Sequence, residues 1–115
     1  MSRDKAHLHD IVESFELATQ YLANQTLEEL QADNQKLDAI IRRIEIVGEA
    51  TKRLTEEIRT SNPQVPWREM AGMRDRLIHA YDRVDVQRVH SAVAIRMVDL
   101  LPELRRLRDS LPDPE

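Results

Sequence analysis

The chain of 115 residues has no cysteine, two glycines, one tryptophan, two tyrosines and one phenylalanine. Without cysteine it can have neither a disulfide framework nor a cysteine-ligated metal. Because aromatic side chains are so few, the core must be built from Leu, Ile, Val and Ala. The scarcity of glycine and the abundance of Leu, Glu, Arg and Ala predict an all-α protein.

Long apolar runs are also missing. None approaches the roughly 20 residues that a helix needs to cross a bilayer, and residues 1–5 are not followed by the apolar stretch of a signal peptide. We therefore expect a cytoplasmic protein with no membrane partner. Its length favours a single domain, which we place at residues 1–108, followed by a frayed acidic and proline-rich tail at residues 109–115.

The net charge of −4 argues against broad, salt-driven binding to duplex nucleic acid. The charge is unevenly distributed, however. Residues 1–65 carry 8 basic and 12 acidic groups, whereas residues 66–108 carry 9 arginines and 6 acidic groups. The second half therefore has an excess of +3, which is compatible with a local positive site on an acidic protein.

Apolar residues recur at helical spacing through most of the chain. Thr26 and Glu29 match a capping box at the start of a short helix, and Asp85 is placed to cap the last helix. Pro102 should kink that last helix. The pattern predicts a bundle of four main helices with short extra helices. The predicted helical ranges are residues 4–22, 26–32, 34–60, 67–70, 73–80 and 86–108.

Two residues of the long helix predict additional packing surfaces. Ile46 lies off the apolar stripe of that helix, which indicates a second contact surface. Gly48 in a helix interior costs about 1 kcal/mol relative to alanine, which indicates close approach of another helix. An exposed strip on this helix, together with a small core, favours a homodimer.

The most informative stretch runs from Arg74 to Tyr81 and reads RDRLIHAY. Arginine holds phosphate oxygens through a fixed fork of N–H donors, and histidine exchanges protons near neutral pH. In a straight helix, positions five apart are rotated by about 140°, so Arg74 and His79 would not share one narrow face. Either the helix ends near His79, or both side chains border a cleft formed with a second subunit. Taken alone, the pattern is more typical of a solvated helix surface.

The stretch resembles the Arg-x4-His-x-Tyr signature of HepT-like proteins, a branch of the HEPN superfamily, with Asp75 as the polar residue after the arginine. The surroundings are similar too, and the resemblance covers about residues 5–108. It implies a HEPN-type helical homodimer in which two copies of the motif line one groove. The flanking matches are VGEA at residues 47–50, PWREMAGM at residues 66–73 and VD at residues 84–85.

The resemblance also implies an activity and a partner. It makes Arg74 and His79 the catalytic pair of a metal-independent endoribonuclease toxin that needs no cofactor and leaves a 2′,3′-cyclic phosphate and a 5′-hydroxyl. Asp75 would orient Arg74 or tune His79. In HepT-like toxins the motif tyrosine, here Tyr81, is AMP-modified by MntA, a minimal nucleotidyltransferase antitoxin. The added negative charge would repel RNA.

Several other residues have an ordinary structural interpretation beside the functional one. Glu49 is placed to reach the motif and pair with Arg74 or Arg76, but an exposed structural ion pair is the equal alternative. Tyr81 could instead be a core or interface tyrosine. Trp67 is more typical of a packing anchor than of a base-stacking residue. His90 is more typical of an ordinary helix-face histidine than of a groove residue.

Two non-nuclease functions fit the same fold and motif. The first is a non-catalytic helical dimer that binds a nucleotide or a partner protein, with the motif as the dock. The second is a helper subunit for a nucleotidyltransferase that acts elsewhere. The intact pair of Arg74 and His79 favours the nuclease.

Overall fold

The computed structural model describes residues 2–80 and 83–113, and for residues 79 and 80 it describes the backbone alone. The described chain is helical apart from one short hairpin, so the all-α prediction is confirmed. The helices are α1 (Asp4–Leu22), α2 (Leu27–Gln31), α3 (Asn34–Arg53), α4 (Glu56–Ser61), α5 (Trp67–Ala71), α6 (Met73–Leu77), α7 (Val86–Ser91) and α8 (Val98–Ser110); a π-helical segment (Ala92–Met97) joins the last two. The hairpin strands are β1 (Ile78–Ala80) and β2 (Arg83–Val84).

The long helices α1 and α3 pack along each other, and α8 packs against α1. The side chains between them form one largely aliphatic core, as the composition predicts, and Phe15 is its largest fully buried member. Full burial of each such side chain stabilises the fold by about 1.5–3 kcal/mol. Fully buried members from the three helices include Leu8, Ile11, Phe15, Ile40, Ile44, Val47 and Leu104. No helix in the described ranges has the length and apolarity required to cross a bilayer.

Two helix starts are set by local hydrogen bonds, as predicted. At α2, the Glu29 backbone N–H donates to Thr26 Oγ1 (3.2 Å) and the Thr26 N–H donates to Glu29 Oε1 (3.0 Å). The hydrogen bonds from Thr26 lower the pKa of the Glu29 carboxyl. At α7, the Arg88 N–H donates to the Asp85 carboxylate (3.1 Å). These contacts satisfy backbone donors that have no partner inside the helix.

The long helix is shorter than predicted. It ends at Arg53 instead of near residue 60, because Leu54 adopts an extended conformation (φ −64°, ψ 144°). The next residue, Thr55, caps the separate helix α4 through its side chain. Asp4 at the start of α1 accepts hydrogen bonds from the Thr55 N–H (2.9 Å) and hydroxyl (2.6 Å). The contact with Asp4 therefore satisfies the Thr55 backbone N–H, which has no helical partner at the break between α3 and α4.

The predicted helix over residues 73–80 is also shorter. Helix α6 ends at Leu77, and Ile78 is extended (φ −125°, ψ 102°) and begins β1. Strand β1 pairs antiparallel with β2, so that Ile78 lies opposite Val84. The Leu77 carbonyl, which would bond within a longer helix, instead accepts the Asp85 N–H (2.8 Å). The second half of the motif therefore lies on a hairpin instead of a helix.

The C-terminal helix is irregular in a segment that precedes Pro102. Residues Ala92–Met97 form a π-helical segment, and the helix then continues through Pro102 to Ser110. Residues 109 and 110, predicted to fray, are thus helical. Lys5 Nζ donates to the Leu111 carbonyl (2.9 Å) and lies 2.7 Å from Asp113. These contacts tie the end of α8 to α1.

The close approach predicted at Gly48 is confirmed, whereas Ile46 does not form the exposed strip. A Cβ atom at Gly48 would lie 3.4 Å from the Ala71 carbonyl oxygen, so α3 and α5 are in backbone contact there. Ile46 is half-buried and borders a shallow hollow with residues of α1. Among the described residues, the large apolar side chains that are exposed are Ile95 and Val98, on the C-terminal helix.

Candidate functional site

Helix α6 is anchored by its apolar residues and presents its charged residues to solvent. Met73 and Leu77 are buried in the core, four residues apart. Arg74, Asp75 and Arg76, which lie between them, are exposed. Helix α6 packs on α3, and so does α5, which precedes it in the chain. The first half of the motif is therefore charged and solvent-facing, and two buried apolar side chains anchor it to the core.

Arg74 contacts two carboxylates without being locked by either. Its Nε lies 3.6 Å from Glu45 Oε2 and its Nη1 lies 3.5 Å from Asp75 Oδ1. Both distances exceed the range of 2.7–3.2 Å that is typical of N–H···O hydrogen bonds. The side chain is 50% exposed. The guanidinium is thus directed by negative charge, yet its donors are accessible to a phosphate.

Glu45 is a site residue that the sequence analysis missed. Glu49 was expected to reach Arg74 or Arg76, but it is exposed, and the ion pairs of the described residues do not include it. Glu45 precedes Glu49 by four positions, so both lie on one side of α3. That i,i+4 relation is the signal in the sequence that identifies Glu45 as the alternative.

The other two motif residues are only partly described. The backbone of His79 lies on β1, two residues after the end of α6. The helix ends before His79, as the first of the two arrangements considered for the motif requires. The side chain of His79, and Tyr81 as a whole, lie outside the described residues.

Arg76 faces the opposite side of α6 from Arg74 and lines a groove of about 670 Å³. We call this the arginine groove. Its walls come from α5, α6, α7 and the π-helical segment. Its lining residues are Glu69, Met73, Arg76, Leu77, Asp85, Gln87, Arg88, Ser91, Ala92, Ile95 and Arg96.

The three arginines of the arginine groove differ in how firmly they are held. Arg96 forms a two-pronged pair with Glu69, with Nη2–Oε2 at 2.7 Å and Nε–Oε2 at 3.0 Å. The hydrogen bonds to Glu69 raise the pKa of Arg96. Arg88 is 64% exposed and has one longer contact, 3.3 Å to Asp85. Arg76 has no ion pair with any residue in the described part of the chain.

The remaining candidate residues have structural contacts. The indole N–H of Trp67 donates to the Asn62 carbonyl (3.0 Å), and the side chain is 8% exposed, so Trp67 is a packing anchor. His90 Nε2 lies 2.8 Å from the Gln25 carbonyl oxygen, away from the motif. Within residues 2–80 and 83–113, no three His, Asp or Glu side chains come together as a metal site would require.

Comparison with known proteins identifies relatives along almost the whole chain. The family model described as ribonuclease HepT-like matches residues 11–107. A probable ribonuclease HepT of Thermococcus cleftensis is 38% identical over 104 residues, which are 90% of this chain and 94% of that protein. A putative RNase of Caldanaerobacter subterraneus is 30% identical over 93% of this chain and 96% of its own length. None of the solved structures matches the chain significantly.

Another relative is about twice the length of the region that it shares with this chain. A Methanocaldococcus jannaschii protein named gamma-glutamylcyclotransferase and putative RNase is 37% identical over 107 residues, which are 93% of this chain but 48% of that protein.

Proposed function

This chain belongs to the ribonuclease HepT-like family, and we propose that it is a metal-independent endoribonuclease toxin acting on RNA in the cytoplasm. The observation that carries the proposal is the state of Arg74. Its side chain is half-exposed on α6, a helix that buried apolar residues anchor to the core. The two nearby carboxylates direct the guanidinium without occupying its N–H donors. A permanently charged fork in this state is suited to receive a phosphodiester.

In the proposed reaction, His79 acts as a general base and removes the proton from a ribose 2′-hydroxyl. The 2′-oxygen attacks the adjacent phosphorus, and Arg74 stabilises the negative charge that builds on the phosphoryl oxygens. The bond from phosphorus to the 5′-oxygen breaks, and a second acid protonates that oxygen. The products are a 2′,3′-cyclic phosphate and a 5′-hydroxyl. Asp75, adjacent to Arg74, helps to direct the guanidinium.

The need for a second acid supports a homodimer. One chain supplies a single motif histidine, and His90 is engaged with the Gln25 carbonyl oxygen. In a two-fold dimer the second copy of His79 provides the acid at a composite site. Val98 on the last helix (50% exposed) offers apolar surface outside the arginine groove that a second copy would remove from water.

The proposed control of the toxin acts through Tyr81. An MntA-like nucleotidyltransferase antitoxin would transfer AMP to the phenol oxygen, placing negative charge and bulk seven positions after Arg74. RNA would then be repelled from the arginine. Co-expression with such a partner should add mass in multiples of AMP to the wild type and none to Tyr81→Phe. Inhibition of the wild type with unchanged mass would instead indicate masking by complex formation.

Expression in a bacterial host tests the proposed function. Wild-type protein should arrest growth and degrade cellular RNA, whereas Arg74→Ala and His79→Ala should do neither. Arg106→Ala is the matched control, because Arg106 is an exposed arginine paired with Glu103 on the last helix, outside the motif. Equal toxicity of all variants would refute the catalytic assignment. Growth without arrest for the folded wild type would favour a nucleotide-binding or helper role.

A further inference from the structure

We propose that the arginine groove binds the RNA nucleotides that flank the cleaved phosphodiester, so that it sets the preference for longer RNA. This inference rests on the proposed function, because it assigns a substrate subsite to the same reaction. The groove is a different surface from the one that holds Arg74. The motif arginine, Arg74, is not among its lining residues. Arg76 and Leu77, which lie between Arg74 and His79 in the motif, do line it.

The geometry of α6 connects the two surfaces. Residues two apart on a helix are rotated by about 200°, so Arg74 and Arg76 project to opposite sides. Arg74 faces Glu45 of α3, and Arg76 lines the arginine groove. The width of a helix with its side chains, about 10–12 Å, separates the two sides. A strand only a few nucleotides long can pass from one side to the other across the exposed face of this short helix.

The charge of the arginine groove favours a polyanion. Its lining has three arginines and two acids, a net charge of +1, on a chain whose net charge is −4. Glu69 neutralises Arg96 through its two-pronged pair. Arg76, and Arg88 with its single 3.3 Å contact, are therefore the cations available to phosphates. Arginines elsewhere on the last helix, such as Arg105 and Arg106, are held at 2.5–2.9 Å by Glu16 and Glu103.

The apolar surface of the groove suits nucleobases. Ile95 lines the groove and is 62% exposed, and the nearly buried Met73 and Leu77 border the groove from α6. The guanidinium of Arg96 is fixed in orientation by Glu69, so it offers a planar surface on which a base can stack without losing side-chain freedom. Single-stranded RNA presents both the phosphates and the unstacked bases that this combination would contact.

The test compares a dinucleotide with a longer oligoribonucleotide as substrates. The test variant is Arg76→Ala/Arg88→Ala. Its charge-matched control is Lys36→Ala/Arg106→Ala, since Lys36 lies nine positions before Glu45, on the opposite face of α3, and neither residue lines the groove. The measurements are kcat and KM for both substrates over a range of salt concentrations. Size-exclusion chromatography of each variant monitors folding and assembly.

Two lost phosphate contacts should reduce the salt slope of log KM for the long RNA by about 1.4, at about 0.7 per contact with a single strand. The dinucleotide should be cleaved by the test variant as by wild type, and the control should resemble wild type on both substrates. Wild-type KM and slope in the test variant would overturn the proposal. Equal loss on both substrates, or a changed oligomeric state, would also overturn it, because the groove would then serve the reaction centre or a protein contact.

Failure of the proposed function gives a different result. If wild type cleaves neither substrate, fluorescence anisotropy with the same long RNA still measures binding by the groove. A salt slope for binding that falls by about 1.4 in the test variant supports the groove as an RNA site without a nuclease. An unchanged slope refutes the groove independently of catalysis.

Discussion

Replacing Glu45 by glutamine removes the carboxylate that contacts Arg74 from α3, and we expect RNA to bind more tightly as a result. In the folded protein, Glu45 Oε2 lies 3.6 Å from Arg74 Nε, and the two side chains are 35% and 50% exposed. An incoming phosphate must compete with this carboxylate for the guanidinium. Glutamine retains the size and polarity of the side chain but removes the charge.

The expected change in KM follows from the distance between the Glu45 and Arg74 charges and from the solvent exposure of both side chains. Two unit charges 3.6 Å apart attract each other by about 1 kcal/mol in water. Exposed pairs of this kind contribute up to about 1 kcal/mol, so we use that value without any increase for burial. A competing interaction of about 1 kcal/mol corresponds to about a fivefold change in affinity. We therefore expect KM to fall by up to about fivefold in Glu45→Gln.

The matched control is Glu49→Gln. Glu49 is exposed on the same side of α3, one turn away, and its removal changes the net charge by the same amount. Steady-state cleavage of a labelled oligoribonucleotide at low salt gives KM for both variants. The reasoning predicts a fall in KM for Glu45→Gln that Glu49→Gln does not share. An equal fall in both variants would show a general charge effect, and no fall in either would show that Glu45 does not compete for Arg74.

Three further predictions concern stability and assembly. Asp4→Ala should lower the free energy of unfolding by about 2–3 kcal/mol in urea titrations, because its buried carboxylate accepts two hydrogen bonds, and the exposed Asp10→Ala should change it little. Wild type and His79→Ala, mixed in equal amounts and allowed to exchange subunits, should have about 25% of the activity of wild type at the same total protein concentration if each site needs both copies. The value should be about 50% if the copies act independently. Hydrogen bonds from Arg106 and Gln64 lower the pKa of Glu103 from 4.5 to about 2. The stabilisation that they give is therefore present above pH 4.5 and is lost as the pH falls towards 2. The difference in free energy of unfolding between wild type and Arg106→Ala should shrink over that range.

Features set by neighbouring residues in the chain could be predicted from the sequence. The capping box at Thr26 and the N-cap at Asp85 depend on contacts three positions away, and the structure contains both. The apolar stripes of α1 and α8 follow from helical periodicity and form the core. The bounds of α1 agree with the prediction at both ends.

Features set by distant contacts could not be predicted in this way. At the break after Arg53, Thr55 donates its hydrogen bonds to Asp4, which is 51 positions away in the chain. The end of α6 at Leu77 depends on the N–H of Asp85, which arrives from beyond the hairpin. Helical periodicity cannot register either contact, since each pairs residues that lie on different elements.

In the candidate site, too, some features could be predicted from the sequence and others depend on the tertiary fold. Arg74 and His79 were selected by chemistry and by resemblance to a family, and their assignment as the catalytic pair stays a prediction. Glu45 could not be chosen over Glu49 from the sequence, because the choice depends on how α6 is rotated against α3. The arginine groove combines residues from four elements, so its existence depends on the tertiary fold.

The proposed function requires that the protein cleave RNA without a metal and with His79 as its proton-transfer group. The most direct test is cleavage of end-labelled RNA in EDTA by wild type and by His79→Ala, both confirmed by intact mass to carry no AMP. We expect cleavage by wild type alone, with a 2′,3′-cyclic phosphate at the new end. Cleavage by His79→Ala at the wild-type rate, or products ending in a 3′-hydroxyl, would contradict it.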